Sequence, residues 1–565
     1  MNGYRTSPAG RAKPRGGAAG IVDAEVIEDA LARRLAEVLP HLAGGATSLK
    51  ETVSGVGAHD AGGLLDAACR SLCDDPSLQR CWLVLTATAG RLPSADDVRE
   101  ASHRAETSRP AQLGLWLLEH AARSTALECS VRGLVVVSDR VIVDDFTVAA
   151  PGGKVASAPT LGTPTFGTPT LRTPTLRTPG FDRLAAVVAA RWQARNGCVR
   201  VAWDPFFCGW TTDGRAANGL TTDGELVVPW GTTVVTLGCA PAQVCAPLAA
   251  AAELSGSTFA ALADDCYPAA SAGLIPDWQV THAVRYLSVI KHFGRVATLS
   301  EASAADFAGY ASALAAQGLA GPQVTSCRLA TQPLPLSRTA DSGTGRADTA
   351  GARDTAGAQT RLGVPIVVYA GDVDGRSDLP GLLCAAELAW ADGADFEVVI
   401  AAREVHDADV AKLVGRLRRA GRPVEMRVAM TEEDLDALYR SATLCVSPSP
   451  HEGTTLAISE SLARNVPVLS SQRPTPQGGA GQAGVLRFDA DDEALSDAMR
   501  LVLGDDAVLA SLRDQLHARQ ARSWDAFADD LWDLLVAPAG PAQHRSRGAR
   551  RDPRRTPGLL DGRGC

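Results

Sequence analysis

The chain is predicted to be an α/β protein of two doubly wound, Rossmann-like halves facing across a cleft, behind a helical N-terminal segment. Three observations predict this. Apolar strand candidates alternate with helix-length runs twice over, in residues 131–336 and again in 361–537, and such alternation implies parallel sheets with crossover helices. A stretch rich in Gly, Ala, Asp and Thr, residues 337–360, lies between them and has the composition of a flexible linker. The length, 565 residues, exceeds what one hydrophobic core usually holds and calls for two or three domains.

Taken in order, residues 1–20 are polar and are expected to be disordered. Residues 21–130 are expected to be mostly helical, because apolar residues recur at three and four in AEVIEDALARRLAEVL and PAQLGLWLLEHAARS. In 131–336 the strand candidates are LVVV, VIVDD, VRVAW, LVVPW, TFAALA and RVATLS, with helices at DRLAAVVAARWQAR, PLAAAAELSG and AADFAGYASALAAQG. His282 and His292 fall in a further helical run. A five-residue Thr/Pro repeat interrupts this half at 151–179; proline at that frequency forbids helix, and the segment is expected to be an extended inserted loop. In 361–537 the order is PIVVYAG, LPGLLCAAELAWADG, FEVVIAA, DADVAKLVGRLRRAG and VEMRVA, again strand then helix.

Composition excludes several classes. A net charge of -9 argues against nucleic-acid binding, which needs a basic surface. The 13 cysteines show no CxxC spacing, so neither a zinc site nor a disulfide framework is expected, and reduced thiols suit a cytoplasmic protein. The N-terminus has no apolar h-region, and no run of 18 apolar residues exists, so neither a signal peptide nor a membrane-spanning helix is expected. Residues 538–565 carry seven arginines from Arg545 onward; they are expected to form a disordered basic tail, with peripheral contact to anionic lipid or a partner as the alternative.

The chemistry concentrates in TEEDLDALYRSATLCVSPSPHEGTTLAISESLARNVPVLSS, residues 431–471. Thr431 with Asp434 has the pattern of a helix-opening capping box. TLCVS is then a short buried strand, SPSPHEGTT a loop, TLAISESLAR a helix and VPVLSS the next strand. Asn465 tolerates the left-handed conformation that ends a helix, and Pro467 blocks continuation. Free N–H groups and the positive end of the helix dipole meet at Glu452-Gly453-Thr454-Thr455, a suitable cradle for phosphate or sugar oxygens. Glu452 on the loop and Glu460 in the helix, eight residues apart, supply acceptors suited to sugar hydroxyls.

This strip resembles the signature of retaining, GT-B-fold glycosyltransferases of family four: proline-serine, Glu-Gly, a small loop, and a second Glu eight positions on. The resemblance implies that Glu452 contacts the donor sugar, that Gly453, Thr454, Thr455 and Leu456 hold the diphosphate, and that Glu460 binds the ribose. His451, beside Glu452, is a candidate contact to either sugar. The first half resembles, more loosely, a bacterial mannosyltransferase-like group. TPGFDRLAAVVAARW matches a loop and helix that carry an Arg, and DDCYPAASAGLIPDW matches a segment with Asp and Pro. Gly180, Arg183 and Asp265 thereby fall on the acceptor side.

One loop departs from the pattern. Active relatives carry an Arg and a Lys there, cations that stabilise a leaving diphosphate. Here Gly371 to Asp378 reads GDVDGRSD, with Gly371 a candidate donor-binding position and Asp372 and Ser377 in those two places. Losing one such donor costs ~2.7–4 kcal/mol, roughly a hundred- to a thousandfold in rate. Arg376 is the candidate substitute, and Arg403 in the next loop is a second cation. Asp372 and Asp374 form Asp-Val-Asp, but at this place in the fold no metal site is expected.

The resemblance therefore implies transfer of a hexose, of the mannose or glucose type, from a GDP- or UDP-linked nucleotide sugar to a glycan or lipid-linked acceptor, with retention. Neither metal nor other cofactor is expected. A catalytically degenerate binding or scaffold protein is the alternative that the Asp372/Ser377 loop raises.

Overall fold

The computed structural model describes residues 24–42, 60–124, 133–146, 179–194, 198–204, 209–212, 225–264, 273, 275–335, 363–405, 407–449, 456–471, 482–489 and 491–537. The expectations placed on the two termini, the Thr/Pro repeat, the 337–360 stretch, Asp265 and His451 to Thr455 lie outside those residues.

Among the described residues five helices come first: α1 (Ala24–Leu42), α2 (Ala61–Asp74), α3 (Leu78–Ala89), α4 (Ala95–Thr107) and α5 (Pro110–Ser124). Their starts are locally encoded. Asp60 accepts the Gly63 amide ahead of α2, and Ser94 with Asp97 forms a full capping box on α4. Arg34 is buried; its Nε donates to the Ala87 carbonyl at 2.6 Å, satisfying the end of α3.

The strands β1 (Leu134–Val137), β2 (Val141–Asp144), β3 (Cys198–Asp204), β4 (Gly209–Thr212), β5 (Leu226–Pro229), β6 (Thr233–Leu237), β7 (Thr258–Ala263), β8 (Arg295–Thr298) and β9 (Gln323–Ser326) form one sheet. Their order is β1-β5-β4-β3-β2-β6-β7-β8-β9. Every pairing is parallel except those of β4, which runs antiparallel to β3 and to β5. The helices between these strands are α6 (Pro179–Gln193), α7 (Cys245–Leu254), α8 (Asp277–Ile290) and α9 (Glu301–Ala316). Helices α1 to α5 do not stand apart. Trp82 and Leu85 of α3 share one continuous core with Trp210, Val227 and Phe259 of the sheet. The sheet is apolar on both faces, so the helical segment covers one of them.

The second unit is a six-stranded, wholly parallel sheet: β10 (Ile366–Val373), β11 (Glu397–Val405), β12 (Val424–Val428), β13 (Leu444–Ser447), β14 (Val468–Ser471) and β15 (Val485–Phe488). Its order is β12-β11-β10-β13-β14-β15. Helices α10 (Leu379–Ala391), α11 (Ala408–Arg419), α12 (Glu432–Ser441), α13 (Leu456–Ala463), α14 (Asp492–Gly504) and α15 (Asp506–His517) flank it, with one apolar core on each face.

The last of the described helices, α16 (Trp524–Leu535), follows the second unit in the chain but packs on the first. Its apolar positions Trp524, Phe527, Ala528, Leu531 and Leu535 join Phe181, Leu184 and Trp192 of α6 in the core under the other face of the nine-stranded sheet. Trp192 donates to the Ala528 carbonyl at 2.8 Å, and Arg295 donates to the Ala537 carbonyl at 2.6 Å, closing the C-terminal end of α16. Two doubly wound α/β units with a returning terminal helix form the GT-B architecture that the sequence led us to expect.

Candidate functional site

In the six-stranded sheet the chain runs outward from β10 through β11 to β12. It then returns to place β13 on the other side of β10. Neighbouring strands whose connections leave in opposite directions open a crevice at their carboxyl ends, where doubly wound sheets take ligands. A small hollow lies there, lined by Tyr369 and Ala370 of β10, Cys445 to Ser447 of β13, Ala457 and Ile458 of α13, and Val468.

Helix α13 forms its wall, and the start of α12 and the end of α13 follow the residue types in the strip. Thr431 Oγ1 accepts the Asp434 amide at 3.1 Å and opens α12. Asn465, at φ 60°, terminates α13 in the left-handed conformation. Ser461 Oγ donates to the Val466 carbonyl and ties that turn.

Glu460 faces the first unit and is buried. Its Oε1 accepts the Leu334 amide at 2.9 Å. Its Oε2 accepts Arg464 Nη1 at 2.7 Å and lies 3.8 Å from Arg183 Nη2. Arg183 also stands 3.7 Å from Glu432. One turn earlier on α6, Gly180 meets Leu456: a Cβ added at Gly180 would sit 3.2 Å from Leu456 Cδ1. The two helices therefore run side by side, Gly180 against Leu456 and Arg183 against Glu460. Gly180 and Arg183, placed by sequence on the acceptor side, are brought against two residues of the donor strip. Nothing in the sequence pointed to the Leu334 amide, because a backbone N–H carries no residue signature.

The departed loop is partly strand. Gly371 lies inside β10, paired with Ala402, and the register shifts between Gly371 and Val373. A Cβ at Gly371 would come within 2.7 Å of the Tyr369 hydroxyl, which donates to the Asp372 carbonyl; this close approach is a packing reason for the glycine. Asp374 turns inward and is buried. It accepts the Arg376 amide on Oδ1 at 2.9 Å and Arg376 Nη2 and Nε on Oδ2 at 2.9 and 3.1 Å. Ser377 is also buried and donates to the Asp374 carbonyl. Asp378, at φ 46°, is the N-cap of α10. Arg376 is thus held by its own loop. Arg403 lies on β11, with its side chain outside the described residues.

Behind Glu460, Arg464 bonds Asp436 and lies over the Tyr439 ring. Burial alone would lower the Arg464 guanidinium. The Glu460 and Asp436 carboxylates outweigh it and raise the pKa. Asp436 shows the converse: burial would raise its carboxyl, but hydrogen bonds from Arg440 and Arg464 hold it below the usual carboxylate value. Among the described residues no group of three or more His, Cys, Asp or Glu side chains could hold a metal ion. The described cysteines are free thiols, and no helix among the described residues is long and apolar enough to cross a membrane.

Residues 364–505 match the family described as glycosyl transferases group 1. That segment is the second unit, including β10, β13, α13 and Glu460. No curated protein matches the chain. Among solved structures it is similar to sucrose-phosphate synthase from Thermosynechococcus elongatus at 18% identity and TM-score 0.38, over 54% of this chain and 72% of that one. It is similar to Anabaena HepE in complex with UDP and glucose at 12% identity and TM-score 0.43, over 70% and 99%. It is also similar to S. aureus TarM in complex with UDP at 11% identity and TM-score 0.36, over 54% of this chain and 55% of that one. The group 1 match thus falls on the second of the two doubly wound units.

Proposed function

We propose that this chain transfers a hexose, of the mannose or glucose type, from a UDP- or GDP-linked sugar to a glycan or lipid-linked acceptor, with retention of configuration. The observation that carries the proposal is Glu460, buried on α13, the helix whose first-turn residues Ala457 and Ile458 line the hollow between β10 and β13. A carboxylate can accept a pair of hydroxyls, and the first turn of a helix offers unpaired N–H groups to a diphosphate. In this reading Glu460 takes the ribose. Leu456 and the Glu452-to-Thr455 turn, with His451 beside it, take the diphosphate and donor sugar. The first unit closes over the acceptor, with Asp265 on that side. Resident metal and cofactor are not required, since backbone and side-chain donors hold the diphosphate, and the protein acts in the cytoplasm.

Arg376 favours a second reading. With its guanidinium on Asp374, it is poorly placed to stabilise a leaving diphosphate, and Asp372 and Ser377 supply no cation. A catalytically degenerate protein that binds a sugar nucleotide or scaffolds an active transferase fits that loop. Calorimetry with UDP-glucose and GDP-mannose, followed by NMR of any glycoside formed, separates the two. Binding with turnover to the retained anomer supports the enzyme; binding without turnover supports the degenerate protein; an inverted product removes the retaining assignment.

A further inference from the structure

Arg464 sits four residues beyond Glu460, in the turn just past the end of α13. Its Nη1 donates to Glu460 Oε2 at 2.7 Å and to the Glu460 carbonyl at 2.9 Å. Its Nε donates to Asp436 Oδ1 at 2.8 Å, Nη2 reaches the same oxygen at 2.6 Å, and the guanidinium lies 5.2 Å from the Tyr439 ring centre. Side-chain exposure is 5% for Arg464 and 7% for Glu460, so this pairing is shielded from solvent. Arg440 on the surface of α12 gives Asp436 a second cation, which keeps that support in place. The planar fork of an arginine suits this task, because one side chain grips two acceptors in fixed directions.

A buried ion pair seldom adds stability beyond what apolar side chains of similar volume supply. What it does supply is direction. With Oε2 tied to Arg464, the Glu460 carboxylate cannot rotate, and Oε1 points to the first unit, where the Leu334 amide meets it.

We propose that Arg464 is a positioning residue of the nucleotide site: braced by Asp436 and Tyr439, it fixes Oε2 of Glu460 so that Oε1, which holds the Leu334 amide with one lone pair, presents its second to a ribose hydroxyl at the contact between the units. This rests on the nucleotide-sugar reading of Glu460. Arg464 touches no substrate itself and acts through the carboxylate.

The test is a double-mutant cycle on the full chain, read by calorimetry with UDP and GDP. E460A and R464A are each expected to weaken nucleoside-diphosphate binding by about tenfold or more, with R464A adding nothing in the E460A background. R464K, which keeps the charge, is expected to recover part of the loss. A double variant whose loss is the product of the two single losses overturns the proposal, since Arg464 would then act on the fold rather than through Glu460. If R464A does not fold, D436N replaces it in the cycle, with the same two outcomes. E460A that binds as the wild type does removes the ribose assignment and the proposal together. A wild-type chain that binds neither nucleotide overturns the nucleotide-sugar reading beneath both.

Discussion

The Leu334 amide of the first unit donates to Glu460 Oε1 of the second at 2.9 Å, joining residues 126 positions apart where the units meet. One oxygen of the carboxylate thus serves the contact between units, and the other serves Arg464. Glu460→Gln keeps the shape, removes the charge and leaves the buried Arg464 without one of its two carboxylates. Breaking a buried pair in this way costs about 3 kcal/mol. Chemical denaturation of the full chain should show a loss of that order. A change near zero would mean that solvent reaches the pair.

Gly180 offers a geometric test of how closely the units approach. A Cβ there meets the flexible end of Leu456, so Gly180→Ala should cost less than about 1 kcal/mol, whereas Gly180→Leu overpacks the contact at about 1–3 kcal/mol. Pairing Gly180→Leu with Leu456→Ala should restore most of the loss in thermal unfolding. No restoration would place the strain elsewhere.

Asp374 holds Arg376 inside its own loop. Asp374→Asn removes that charge and should strengthen binding of UDP or GDP by about fivefold, equivalent to roughly 1 kcal/mol of binding free energy. Unchanged or weaker binding in calorimetry would show that Arg376 does not face the diphosphate.

His282 of α8 is buried, and burial lowers its pKa below the usual 6.5. The unfolded chain therefore binds the proton first. Stability is unaffected by this group above about pH 6.5 and falls as pH drops below it, until the folded-state pKa is passed. Denaturation midpoints measured from pH 7.5 to pH 5 should decline, and His282→Gln should flatten part of that decline. An equal decline in the variant would assign it to other groups.

Deleting residues 524–537 tests the returning helix. The deletion uncovers Phe181 and Trp192 on the first unit, although the removed segment adjoins the second in sequence. Limited proteolysis should then cut the first unit sooner than the second. The opposite order would show that α16 contributes little to that core.

Much of the donor strip was legible in advance because its signals are local. Thr431 caps α12, Asn465 ends α13 and the strand at β13 is apolar throughout, so the boundaries follow from residue types a few positions apart. The strands β4, β6, β9 and β15 are not among those the sequence predicts. GWTT and TVVTL are short and threonine-rich, and QVTS alternates too briefly for a period to show. The loop after PIVVYAG proved shorter than its polar residues suggested. Pairing along β11 carries β10 on to Val373, and neighbouring strands override local polarity.

By itself, the sequence determined the alternation of strand and helix, the two-unit division and the caps that open α12 and end α13. Each of these depends on periodicity or capping between near neighbours. Tertiary structure alone decided where the faces went. An amphipathic helix such as α16 announces that one side must be buried but not what will cover it, and its partner α6 lies more than 300 residues earlier in the chain. The same holds for charge. Arg376, Arg183 and Arg464 look alike as residue types, and only folding assigned the first to Asp374 and the other two to Glu460, because an ion pair depends on distance in space rather than on separation along the chain.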